Sequence, residues 1–239
     1  MAVYRLFGRL QLEKKCLFLR LGCLALVWLC MTSVSIYSQT PDLDTLLDKI
    51  QQTYERTSAL TASFDQVATL TSLNRQQTSS GRVYIEKPHA IRWEYTKPDA
   101  QTILYDGTTL RFYTPKRRQL LQSVVDENNR TNVPFLFLAG VGKLREAFEV
   151  TSLSSPEPQL AYLLLMPRSS QAGFSELHIA VNTHTYFVEK LLIHDNIGNL
   201  TEIRLSSLES HTALPAKTFE LVLPPDTEIL TPTDFTGHK

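Results

Sequence analysis

Six histidines, at positions 89, 178, 184, 194, 211 and 238, and three acids close along the chain, Glu94, Asp99 and Asp106, are the side chains best suited to chemistry in this 239-residue sequence. Histidines hold a metal as a compact set. Only His178 and His184, on what read as neighbouring strands, could converge, and paired strand histidines are ordinarily surface residues, so neither a metal nor a cofactor is expected. The three acids would make a glycosidase-type pair only if the fold set their separation. Chain spacing does not set it, and Glu94, next to Trp93 in an alternating stretch, should point into water. Gly140-Val-Gly-Lys143 ends like a phosphate-binding loop, but Phe137 stands where its first glycine belongs and Leu144 where its hydroxyl belongs. The glycines read instead as a helix break. There is no Gly-x-Ser-x-Gly elbow, His-Glu-x-x-His pair or calcium loop, and the chain is not expected to be an enzyme. Arg117-Arg118 reads as a solvated rim, and Asn129-Arg-Thr131 and Asn199-Leu-Thr201 fit a glycosylation pattern that has meaning only in a eukaryotic host.

Thiol chemistry is excluded by position. Cys16, Cys23 and Cys30 all lie in the first thirty residues, where Arg5, Arg9, Lys14, Lys15 and Arg20 precede the apolar run Leu21–Met31. A basic stretch, an apolar run short for a bilayer span and then small residues read as a cleavable signal peptide, the alternative being an uncleaved anchor helix. Ser33 and Ser35 place the cut after Ser35, with Ser38 as the alternative, giving a leader of residues 1–35 and a single exported domain of 36–239. The leader holds five bases and one acid of a chain with 24 of each, so the remainder has 19 bases against 23 acids, net −4, and no cysteine. Its stability must come from an ordinary core. Neither Cys23 nor Cys30 has the surroundings of a lipid-attachment cysteine. Charge balance excludes unaided binding of nucleic acid, and 43% apolar residues exclude disorder.

The elements that must position any site follow from periodicity. Leu43, Leu46, Leu47, Ile50 and Tyr54 recur at helical spacing after Asp42 and Asp44, whose side chains are suited to capping, which predicts a helix over 42–57. From Leu60 the period becomes two. Ala62, Phe64 and Ala68, then Val83 and Ile85, then Ile91, Trp93 and Tyr95 alternate with polar residues. Lys97-Pro98-Asp99, Asp106-Gly107 and Asn196–Asn199 read as turns. Further strands are expected at 175–181, 186–194, 200–208 and 218–223, about ten in all, curling one antiparallel sheet into a barrel or sandwich. Between 133 and 148, Pro134 starts and Gly140 and Gly142 interrupt a helical hairpin. Its Pro-Phe-Leu-Phe-Leu-Ala-Gly run is apolar almost all round and needs contact on more than one side.

The segment from Ser79 to Pro115 resembles the diagnostic core of the periplasmic outer-membrane lipoprotein carrier proteins, the LolA family. The markers are Gly81 before a strand, Lys87-Pro88, Arg92-Trp93-Glu94-Tyr95, Pro98, the Asp106-Gly107 hairpin and Tyr113-Thr-Pro115. The resemblance extends more weakly from about Leu43 to Leu230. The family implies a mainly β fold with short helices, an unclosed antiparallel half-barrel whose apolar mouth is covered by an α-helical lid. It also implies a soluble periplasmic chaperone that takes acylated lipoproteins from an inner-membrane ABC transporter, shields their acyl chains and delivers them to an outer-membrane acceptor. With strand parity, it assigns the acyl-chain cavity to Phe64, Val83, Ile91, Trp93, Tyr95, Leu110 and Phe112, the lid to Phe135 and Leu138, and lid-bracing to Lys87, where the family usually has arginine. A monomer without cofactor is implied. The competing reading is a related half-barrel module that binds lipid or glycolipid or senses envelope stress. The membrane-anchored acceptor of the same pathway needs a lipid-attachment cysteine that this chain lacks.

Overall fold

The computed structural model describes residues 42–88, 90–125, 144–169 and 172–231. The first described element is helix α1 (Leu43–Arg56), whose apolar stripe buries Leu46, Leu47, Ile50 and Tyr54. Asp42 precedes it, but no side-chain cap forms. The Asp42 carbonyl instead accepts the first helical bond, from Leu46 N at 2.9 Å. The helix ends at Thr57, which turns extended and bonds the Thr53 carbonyl through both its N–H (3.2 Å) and its hydroxyl (2.8 Å).

Twelve strands follow: β1 (Ala59–Leu70), β2 (Arg75–Glu86), β3 (Ala90–Lys97), β4 (Gln101–Tyr105), β5 (Thr109–Thr114), β6 (Gln119–Val124), β7 (Phe148–Leu153), β8 (Leu160–Pro167), β9 (Phe174–Asn182), β10 (Val188–Asp195), β11 (Leu200–His211) and β12 (Glu228–Leu230), with a four-residue helix α2 (Leu144–Ala147) before β7. They form one open sheet in the order β12-β6-β5-β4-β3-β2-β1-β11-β10-β9-β8-β7. Every pairing is antiparallel except β12 with β6. The path starts at the sheet's centre and meanders out to β6. It resumes at the opposite edge in β7 and meanders back until β11 pairs with β1.

The expected turns are built by aspartates. Asp106 accepts from the N–H groups of Thr108 (3.1 Å) and Thr109 (2.8 Å) beside Gly107 at φ 103°, a left-handed conformation that glycine adopts without strain. Asp195 does the same for Ile197 (3.0 Å) and Asn199 (2.8 Å) beside Gly198 at φ 88°. Strand β3 stops at Lys97, before Pro98.

Three expectations are corrected. Residues 218–223 are not a strand. A 3₁₀ turn at Ala216–Phe219 leads into an extended segment that alternates in exposure but joins no ladder, the N–H groups of Thr218 and Glu220 being taken by the Pro215 (2.8 Å) and Lys217 (3.2 Å) carbonyls. It is held across the convex face, where Arg92 donates to the Glu220 carbonyl at 2.9 Å. The helix around 144 ends at Ala147, so Phe148 opens β7 instead of closing that helix, and 133–143 lie outside the described residues. The sheet also has more strands than periodicity suggests, because β8 reads Leu-Ala-Tyr-Leu-Leu-Leu-Met without alternation and β7 is short.

Candidate functional site

Strand register puts the sequence-derived apolar candidates on one face. Phe64 pairs with Gly81 and Gly81 with Tyr95; Val83 pairs with Trp93; Phe112 sits across from Ile103, itself opposite Trp93; and Leu110 lies opposite Tyr105, which faces Ile91. Because side chains alternate with period two, these pairings give a continuous concave row running across β1 to β5. Five of the seven, Phe64, Val83, Ile91, Trp93 and Leu110, are 5% exposed or less and belong to a single buried cluster, against which half-buried Tyr95 and Phe112 pack.

The aromatic centre is compact. The Phe64 ring meets Trp93 at 4.7 Å and Tyr95 at 4.9 Å, both edge-to-face. Two features permit this. Gly81 contributes no side chain to the row between Phe64 and Tyr95, and an added Cβ there would lie 2.0 Å from the Glu94 carbonyl oxygen. Tyr95 also keeps its hydroxyl on a partner, donating to Gln66 Oε1 at 3.0 Å, and burial pushes its pKa up to about 12.

The second half of the cluster comes from the other meander. Leu163 and Leu165 on β8, Leu177 and Ile179 on β9 and Leu191 on β10 are 1% exposed or less and continue the concave row. Sequence reasoning put none of them among the candidates. The alternation at 175–181 carried the signal for β9, whereas the unbroken apolar run of β8 has no parity to read. Helix α1 covers this half. Its Tyr54 hydroxyl accepts the Val188 N–H at 3.1 Å, and its ring meets Phe187 at 5.6 Å. Every member of the cluster is apolar or aromatic, and the one buried residue of polar type among the described residues, Thr102, lies on the other face of β4.

The family model described as outer membrane lipoprotein carrier protein LolA matches residues 55–222. The chain belongs to this family. Among curated relatives, the outer-membrane lipoprotein carrier protein of Methylobacillus flagellatus is 26% identical over 184 residues, covering 77% of this chain and 88% of its own. That of Bordetella avium is 27% identical over 203 residues, covering 84% and 95%. The lipoprotein-carrier fold also matches the crystal structure of an uncharacterized conserved protein from Thermus thermophilus, at a TM-score of 0.50 and 13% identity, covering 79% of this chain and 98% of that one. The open sheet and short helices are the mainly β half-barrel expected of the family.

The remaining candidates of this carrier-family chain are placed as follows. Phe135 and Leu138 lie outside the described residues. Val125 and Leu144, which flank that stretch, are both in the buried cluster. Lys87 follows β2, its N–H bonded to the Ser58 carbonyl at 2.9 Å just beyond the end of α1. Partial burial lowers its pKa, and the charge of Glu55 acts in the opposite sense. Its ammonium makes no hydrogen bond to a described residue.

The acids are engaged singly. Glu94 faces outward as expected, accepting from Arg92 at 3.1 Å and Tyr84 at 3.4 Å; Asp99 pairs with Lys116 at 3.2 Å; and Asp106 pairs with Arg111 at 2.5 Å. They form no common site. His184 does not converge on His178, because it occupies the β9–β10 turn, where its N–H bonds Asn182 Oδ1 at 2.9 Å. A recess of about 430 Å³ lined by Asp65, Thr78, Ser79, Ser80, Lys97 and Pro98 is too polar in its walls to suit an acyl chain.

Proposed function

We propose that this chain is a soluble periplasmic lipoprotein chaperone, exported by cleavage of residues 1–35, that shields lipoprotein acyl chains against the concave face of its sheet. The observation that carries the reading is the contiguous, charge-free apolar cluster lining an open sheet, in a chain of the carrier family. Each methylene buried in a bilayer is worth about 0.8 kcal/mol, so two or three long acyl chains hold a lipoprotein in its membrane by tens of kcal/mol. A carrier must offer an apolar surface of comparable quality, and loading must draw on energy supplied elsewhere. That need fits an inner-membrane ABC transporter as donor and an outer-membrane protein as acceptor.

Phe64, Val83, Ile91, Trp93 and Leu110 form the acyl-contacting floor. Because they are buried, loading requires the covering elements to move away from the sheet. Tyr95 and Phe112, half-buried at its margin, are the first side chains an incoming acyl chain meets. Phe135 and Leu138 act as lid residues on the segment tethered by Val125 and Leu144. Lys87 braces that lid as a single charge, without the planar fork of donors an arginine would offer.

The test is the ligand itself. Protein isolated from the periplasm and examined by native mass spectrometry should carry triacylated peptide or lipoprotein. Free glycolipid in its place would favour the lipid-binding alternative and contradict this reading.

A further inference from the structure

Glu176 and His178 on β9 alternate with buried Leu177 and Ile179, and His194 on β10 follows buried Ile193, so all three project from the convex side. The register sets His194 directly opposite Glu176, with His178 two positions along. His178 Nε2 lies 3.2 Å and His194 Nδ1 3.4 Å from the same oxygen, Glu176 Oε1. The imidazoles stack at 5.4 Å between centroids with 28° between planes. One ligating atom from each residue lies within 4.8 Å of the other two.

Ligands bound at zinc distances occupy tetrahedron corners about 3.4 Å apart. Both carboxylate–imidazole separations already match that edge, and a small ring rotation closes the third. Two imidazoles and a carboxylate form a donor set for borderline divalent ions, Zn²⁺ first, with Cu²⁺ and Ni²⁺ as competitors. The side chains are 30% (Glu176), 30% (His178) and 31% (His194) exposed, leaving room for water as a fourth ligand. His194 Nε2 is enclosed and has no hydrogen-bond partner among the described residues, so no competing acceptor turns this ring away from Glu176.

We propose that Glu176, His178 and His194 form a zinc-class cation site that clips β9 to β10 on the convex face. The same two strands supply Leu177, Ile179 and Leu191 to the apolar cluster, so the ion would stiffen one wall of the carrier without touching its apolar side.

The test uses untagged protein stripped with chelator and titrated with Zn²⁺ by calorimetry and with Co²⁺ by visible absorption. The expected result is one saturable equivalent, the intense bands of four-coordinate Co²⁺ and a Zn²⁺-dependent rise in melting temperature. His178→Ala and His194→Ala should each weaken binding on the order of tenfold or more. The triple variant with Glu176→Gln should keep the parent circular dichroism and lose both the binding and the melting shift. His178→Asn, close in size and polarity, carries the same expectation should the triple variant misfold. Absence of saturable binding in the parent, or binding unchanged in the variants, overturns the site.

Discussion

Gly81 stands where two aromatic rings must meet. Its neighbours across β1 and β3 are Phe64 and Tyr95, and a Cβ at 81 would press on Glu94 O at 2.0 Å and Tyr95 Cα at 2.9 Å, both backbone atoms. Gly81→Ala should therefore cost about 3 kcal/mol, the upper range for overpacking, seen as a lower urea midpoint. An unchanged midpoint would contradict the packing. Asp106 makes a second prediction. Partial burial opposes its ionisation, but the Thr109 N–H, the Arg111 guanidinium and the Thr108 donors outweigh it and lower its pKa from 3.8 to about 2. A depressed folded-state pKa gives stability that is complete above the unfolded value and lost as pH falls through the folded one. Asp106→Asn should be about 1 kcal/mol less stable than the parent above pH 4, after allowing for solvent screening, and the gap should close toward pH 2. Urea titrations across that window read it directly. The alternation in the sequence put Trp93 and Ile91 on one face of β3 and Glu94 on the other, as the register does, because parity along a single strand is local. It could not find the His178–His194 stack, which depends on the register between two strands, and it favoured His184, which the turn carries away.

At the scale of elements, the docking of α1 is the feature most open to test. Its apolar stripe was legible from spacing alone, but its anchor was not, because the Tyr54–Val188 bond joins residues far apart in the chain. Burial raises the Tyr54 pKa to about 12, against the lowering effect of the Val188 N–H. A raised folded pKa gives stability that is complete below pH 10 and lost as pH rises toward 12. Tyr54→Phe should leave the Val188 N–H without its acceptor, cost about 1–2 kcal/mol and remove that alkaline dependence. Faster hydrogen exchange at Val188 would report the same loss locally, and an unaltered rate would contradict the anchoring role. Lys87, next to the end of α1, tests the mouth. Lys87→Leu should change the fluorescence of a bound hydrophobic probe, whereas an identical titration would reduce Lys87 to a surface charge. The extended run at 218–223 shows where periodicity misleads. Alternating burial needs only one packed side, whereas a strand needs its N–H groups free for a neighbouring strand, and those of Thr218 and Glu220 are spent on the Pro215 and Lys217 carbonyls of the 3₁₀ turn.

The described residues from 42 onward build one open sheet whose two meanders join where β1 meets β11, with one apolar face continuous across both. Sequence periodicity reached the antiparallel curled sheet; that it stays unclosed came from the family resemblance, and the strand order confirms it. The second meander's share of the concave face stayed hidden because β8 is apolar without interruption. Substituting the buried floor would test folding more than carriage: a charge at Ile91, 1% exposed, would cost several kcal/mol. The margin is the better place to separate the two. Phe112→Ser should keep the parent fold while weakening cargo capture several-fold. The most direct measurement is release of newly made outer-membrane lipoproteins from spheroplasts by the added purified protein. The account predicts that the parent releases them into the soluble fraction as a complex with this chain and that Phe112→Ser does so several-fold less; lipoproteins left in the membrane with the folded parent present would contradict it.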